Sequence, residues 1–199
     1  MIAVIVKIFC AAILSIGGSL WINKLYSRST ELTFPGKFLS RSRFRIPILF
    51  VTQAILFNMT DELFLMAAIF LLMLMTVTDF EQYMLFDAMT VSFVVIGAFY
   101  ALQNSTLQDN FLAAAFGSGI FFLLAIISQG SLGGGDVKLI FGLGMWLGAG
   151  KLLNVVLVGT IIGGVAAILM ILAKKKSRKS YFAYGPYFTL SALYFLLAG

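Results

Sequence analysis

Eight apolar runs, separated by breaks that hold almost all of the charge, decide what this chain can fold into. They lie at 2–22, 46–59, 63–78, 88–102, 111–128, 137–149, 152–173 and 181–198. A bilayer crossing takes about 20 apolar residues, somewhat fewer where helices pack together. Of 199 residues, 61% are hydrophobic and only 11% charged, whereas a water-soluble domain carries about 25% charged residues to wet its surface. The expected fold class is an all-α polytopic membrane protein, a bundle of about eight transmembrane helices. A single cysteine, Cys10, excludes a disulfide scaffold; inside the first run it reads as a packing residue. That run has no clear A-x-A cleavage site and further runs follow it, so it is expected to stay as a permanent helix.

Charge orients the bundle. The net charge is +6, with 14 Lys+Arg, 8 Asp+Glu and no histidine. A Ser-His-Asp triad and a histidine-ligated metal are therefore excluded within this chain. The bases cluster between apolar runs, as cytoplasmic loops do, so no nucleic-acid partner is expected. With the loop at 23–45 in the cytoplasm and alternating crossings, 12 of the 14 bases fall on that side; only Lys7 and Lys151 do not. The positive-inside rule then places both termini outside.

The same alternation brings two acids to one depth. Asp79 ends the third run and Asp136 precedes the sixth, so both reach the cytoplasmic boundary. An aspartate deep in a bilayer costs about 2.5–3.5 kcal/mol on insertion scales, and intramembrane acids face a protein interior or a wet cavity. An isolated acid at a helix end reads simply as a headgroup-solvated residue. Here the surrounding patterns point further. Gly133-Gly134-Gly135-Asp136-Val137-Lys138 reads GxGD-x-K; its glycines permit close backbone approach and positive φ, and leave the acid free of bulky neighbours. The phosphate-loop pattern G-x-x-x-x-G-K-[ST] is absent.

Four more patterns stand in order along the chain: Gly18-Ser19 with Asn23, Asp79-Phe80-Glu81 through Asp87, Gly142-Leu143-Gly144-Met145-Trp146-Leu147-Gly148, and Tyr184-Gly185-Pro186. Together with the GxGD loop they resemble the type IV prepilin peptidases, GxGD aspartyl membrane proteases of bacterial pilus, secretion and competence systems. The resemblance implies that Asp79 and Asp136 are the catalytic pair. It implies supporting or substrate-binding roles for Gly133, Gly135, Lys138, Glu81, Gly185 and Pro186, and no metal site. It implies prepilin or pseudopilin substrates, cut at the junction of a short basic leader and a hydrophobic helix, at the cytoplasmic face of the bacterial inner membrane.

Two departures qualify it. Phe86 stands where the family has proline, which is expected to alter the entry to the next helix without touching the acids. Bifunctional family members carry paired C-x-x-C motifs in the first cytoplasmic loop and methylate the product with S-adenosylmethionine. Residues 23–45 contain no cysteine, so a thiolate zinc clamp cannot form there and no zinc is expected. Use of S-adenosylmethionine stays an open question, separate from proteolysis, which needs no cofactor. The expected organisation is an N-terminal, reduced methyltransferase-like region at 1–60 and a six-helix peptidase domain at 61–199.

Aspartyl proteolysis needs two carboxyls about one water apart, one ionised and one protonated. Two charges about 5 Å apart at an effective dielectric near 20 repel by roughly 3 kcal/mol, which favours a shared proton. Glu81 and Asp87 are the nearby competitors. Glu81 is read as accessory, and Asp87 as a helix N-cap. Lys138 could orient Asp136, meet the substrate or snorkel to headgroups. The G-x-x-x-G pairs Gly144/Gly148 and Gly159/Gly163 are read as close intramolecular helix contacts in preference to a dimer face; monomer and homodimer both stay open. The competing functional reading is a small transporter or proton-coupled carrier using the two acids.

Overall fold

The structure, a computed structural model, describes residues 2–30, 32–34, 42–127, 133–173 and 183–198. Among them are seven helices: α1 Ile2–Arg28, α2 Arg45–Phe57, α3 Leu63–Gln82, α4 Asp87–Gln103, α5 Leu107–Ile127, α6 Gly134–Leu172 and α7 Gly185–Leu197. Four of them, α1, α3, α5 and α6, are long and apolar enough to cross a membrane. The glycine-rich break at 129–132, residues 35–41 of the first basic loop with Lys37 and Arg41, and the basic run 174–179 lie outside the described residues.

The expected sixth and seventh runs are the two arms of the 39-residue α6, divided by a single residue. Gly148 interrupts α6 with φ 68° and ψ 179°, a backbone conformation that only glycine adopts without strain. The two arms then double back. Ile140 before the break and Leu152 after it both reach Gly117 of α5, where an added Cβ would lie 3.4 Å and 2.7 Å from them. Twelve residues apart on a straight helix, they would be separated by about 18 Å. The second arm returns to the start of α7, packing Gly159 on Phe188 and Gly163 on Tyr184 and Tyr187.

Polarity is distributed as a bilayer requires. Apolar stripes face outward on α1 (Phe9, Ile13, Ile16, Leu20), α5 (Phe116, Ile120, Leu123, Ile127) and the second arm of α6 (Leu157, Ile161, Val165, Ile168). Exposed apolar area of that extent has no place on a soluble monomer. Polar side chains turn inward instead: Ser15, Gln53, Thr76, Asn110 and Thr189 are buried. The hydroxyls of Thr76 on α3 and Thr189 on α7 are 2.6 Å apart and hydrogen-bonded. At one end of the bundle Lys7 pairs with Asp61 at 2.6 Å and donates to the Thr60 carbonyl. One of the two bases expected on the outer side is thereby neutralised.

The Gly142–Gly148 pattern has a distinct use at each position. Gly142 admits the Phe93 ring of α4, and Gly144 lies against the Ala114 backbone of α5. Trp146 stacks on Phe93 and Tyr100, and donates its indole N–H to the Phe93 carbonyl at 2.9 Å over Gly97. Gly148 is the hairpin turn, stitched by Asn110, whose amide donates to the Met145 carbonyl at 2.9 Å. The reading of Gly144/Gly148 as a close intramolecular helix contact is met, with Gly144 on Ala114 and Gly148 on Asn110 of α5, and Gly148 turns the chain as well; Gly159 and Gly163 also make close contacts within the chain. Gly144→Ala would drive a methyl group into the backbone of Ala114, with its nitrogen 2.5 Å away. A loss of about 1–3 kcal/mol is expected, seen as a lower thermal midpoint in detergent; an unchanged midpoint would show that α5 can move off α6 freely.

Candidate active site

Asp79 sits in the last turn of α3 and is buried, 6% exposed. Asp136 is in the first turn of α6 and half-buried. The start of α7 brings them together. A Cβ added to Gly185 would lie 2.6 Å from Asp79 Oδ2 and 3.7 Å from Asp136 Oδ1. Those two oxygens are therefore no more than 6.3 Å apart (2.6 plus 3.7 Å), so the two carboxyls share one small site. The residues the sequence places 57 positions apart thus face each other across a glycine.

Backbone N–H groups lie near both carboxyls, that of Gly185 toward Asp79 and that of Gly133 toward Asp136. The first N–H groups of a helix have no partner within it and carry the positive end of its dipole. Gly185 opens α7, with Pro186 beside it in the first turn, where a missing N–H costs nothing. Gly133 is the N-cap of α6, in extended conformation. Positive φ was expected in the glycine loop, but among the described glycines only Gly148 has it. What the loop uses is the absence of side chains. Gly135 lets Leu85 approach to 3.1 Å of where a Cβ would be, and Gly134 borders open space.

A cavity of about 260 Å³ opens between the acids and the segment after α3, lined by Asp79, Tyr83, Met84, Leu85 and residues 133–136. Tyr83 closes α3 in the left-handed conformation, φ 55°, with its N–H on the Asp79 carbonyl at 2.9 Å. The chain then runs extended into Phe86, at φ −81° and ψ 133°. That φ is close to the value that a proline would impose at this position.

Other expected site residues have different surroundings. Lys138 donates to Asp87 Oδ1 at 2.6 Å, an exposed pair joining α6 to α4; such pairs contribute about 0–1 kcal/mol. Asp87 makes no N-cap, since Phe86 holds that position and no side-chain cap bond forms. Glu81 turns away from the cavity and is buried at 6% exposure. Its carboxylate accepts from Arg45 Nε at 2.9 Å and Nη2 at 2.6 Å, and from the Tyr26 hydroxyl at 2.9 Å. Arg45 also donates to Asn23 Oδ1 at 2.7 Å and to the Ser19 carbonyl at 3.3 Å.

Sequence reasoning missed this network. Arg45 was counted among the loop bases, yet it is 2% exposed and opens α2. The available signal was an arginine at the edge of an apolar run, at the depth of an unpaired acid. The Gly18-Ser19 and Asn23 pattern also finds its use here. Ser19 and Asn23 accept from Arg45, and Gly18 packs tightly on Phe70 and Leu74 of α3.

A family model described as the Type IV leader peptidase family matches residues 66–168, a segment that includes both acids. Three similar proteins are each named prepilin leader peptidase/N-methyltransferase. That of Neisseria gonorrhoeae is 35% identical over 124 residues, covering 59% of this chain and 42% of the relative. That of Pectobacterium carotovorum subsp. carotovorum is 29% identical, covering 62% and 47%. That of Legionella pneumophila is 26% identical, covering 66% and 48%. The chain thus spans just under half the length of the curated relatives it matches. No solved structure matches it.

Proposed function

Since the chain belongs to the type IV leader peptidase family, we propose that it is a membrane-embedded aspartic endopeptidase. It removes the short basic leader from prepilin or pseudopilin substrates. The observation that carries this reading is the convergence of Asp79 and Asp136 on Gly185, which brings their carboxyl oxygens within 6.3 Å of each other (2.6 plus 3.7 Å). Hydrolysis of an amide needs a base for the attacking water and an acid for the carbonyl oxygen. One carboxylate takes the proton as the water adds, and the protonated partner hydrogen-bonds the developing oxyanion. The tetrahedral intermediate then collapses as a proton passes to the leaving amine.

The topology supports the same substrate class. Counting the arms of α6 separately gives eight crossings with both termini outside, and both acids at the cytoplasmic boundary of a bacterial inner membrane. A substrate whose basic leader stays in the cytoplasm, and whose apolar helix lies in the bilayer, presents its junction at that depth. Residues 61–199 carry the acids and the glycine loops. Residues 1–60 correspond in position to a methyltransferase-like region, without the cysteines of a zinc clamp.

The test is direct. Purified protein mixed with a prepilin is expected to convert it to a shorter product on a gel, cut once at the leader junction by mass spectrometry. An intact prepilin after prolonged incubation would overturn the reading. The mass of the product separately reports any added methyl group. Because two carboxyls and a water suffice, EDTA is expected to leave the rate unchanged; inhibition by the chelator, reversed by added metal, would overturn the metal-free mechanism.

A further inference from the structure

We infer that the N-terminal helix pair is a positioning clamp for Asp79, acting through the Arg45–Glu81 pair. This rests on the peptidase reading above. Asp79 lies in the last turn of α3, and the last turn of a helix lacks onward hydrogen bonds for its carbonyls and frays. A general base or acid there must nevertheless be held closely, since a displacement of about 1 Å can cost about 10²-fold in rate.

The residues that follow Asp79 show how that turn is held. Glu81 is gripped from two sides, by the fork of Arg45 at the start of α2 and by the Tyr26 hydroxyl of α1. The Arg45 guanidinium also lies over the Tyr26 ring, 5.4 Å from its centroid. Gln82 pairs its side-chain amide with the backbone of Phe34, accepting from its N–H at 2.8 Å and donating to its carbonyl at 3.4 Å. Tyr83 meets the Phe34 ring edge-on at 5.6 Å. Glu81, Gln82 and Tyr83 are thus fastened to Tyr26, Phe34 and Arg45, while the Asp79 carboxylate itself faces Gly185 at the start of α7. A buried ion pair is a weak source of net stability, because desolvating both charges offsets their attraction. Its two-pronged geometry is, however, a strict constraint on where α3 ends. Arg45 and Glu81 are positioning residues, and the N-terminal helices belong to the peptidase as working parts.

The experiment compares wild type with Arg45→Met/Glu81→Gln and with Arg45→Lys, each purified in detergent. The double variant replaces the ion pair by uncharged groups of similar size, a change that commonly preserves stability. Arg45→Lys keeps the charge and loses the fork. Prepilin cleavage gives kcat and KM, and thermal melting reports the fold. The expected result is a kcat lowered about tenfold or more in the double variant and less in Arg45→Lys, with KM and melting midpoint near wild type. A folded double variant, or a folded Arg45→Lys, with wild-type kcat would overturn the clamp; so would a change confined to KM. Should wild type itself not cleave, the peptidase reading falls and the clamp with it. Cleavage by wild type with undiminished kcat in the variants removes the clamp alone.

Discussion

Asp79→Asn and Asp136→Asn are each expected to lower leader removal by at least about 10³-fold, with the protein still inserted and folded. Asparagine has the size of aspartate and keeps an oxygen for the backbone donors, the Gly185 N–H at 79 and the Gly133 N–H at 136. The packing of α3, α6 and α7 is therefore undisturbed. What is lost is the ability to take or give a proton. Each acid has a separate part in the exchange, so neither can cover for the other. Cleavage of a prepilin by purified variants, alongside size-exclusion and circular dichroism profiles matching wild type, measures this. Near-normal processing by either variant would remove that residue from the dyad. Glu81→Gln leaves both acids in place and is expected to be milder.

Gly185→Ala is expected to cost about 10²-fold or more in cleavage with little change in stability. A Cβ there would stand 2.6 Å from Asp79 Oδ2, inside the contact distance of carbon and oxygen. The backbone at 185 tolerates alanine, for it opens a helix and has no positive φ. The group that must give way is the free end of the Asp79 side chain. The strain is thus relieved by turning the carboxylate away from Asp136, which abolishes the pairing but not the fold. Cleavage rate and melting midpoint of the variant, measured together, test the point. A fully active Gly185→Ala would mean that the two carboxyls do not need the geometry seen here.

Much of the fold was legible because a bilayer imposes a simple rule. Backbone polar groups must be satisfied within each segment, so apolar runs become helices. The ends of the runs at Asp79 and Asp136 followed from the same rule, with errors of a few residues. The turn at Gly148 was not legible, since a G-x-x-x-G spacing signals a close helix contact, which Gly148 makes at Asn110, and carries no mark of a break in the helix. The cap expected of Asp87 is missing because the helix begins one residue earlier than read, with Phe86 at the N-cap and Asp87 already in the first turn. The burial of Arg45 was only weakly signalled, because a base at the edge of an apolar run and one buried against a distant acid have the same local sequence.

The order and polarity of the runs determined by themselves that this is a helical membrane chain carrying two acids toward the same face. Hydropathy is a local property, and residues next to each other in sequence suffice to express it. Only the tertiary structure decided that Gly185 stands between those acids, that Gly148 folds α6 on itself, and that Glu81 is bound to Arg45. Each of those depends on which helices pack together, and packing is fixed by contacts between residues that local sequence does not relate.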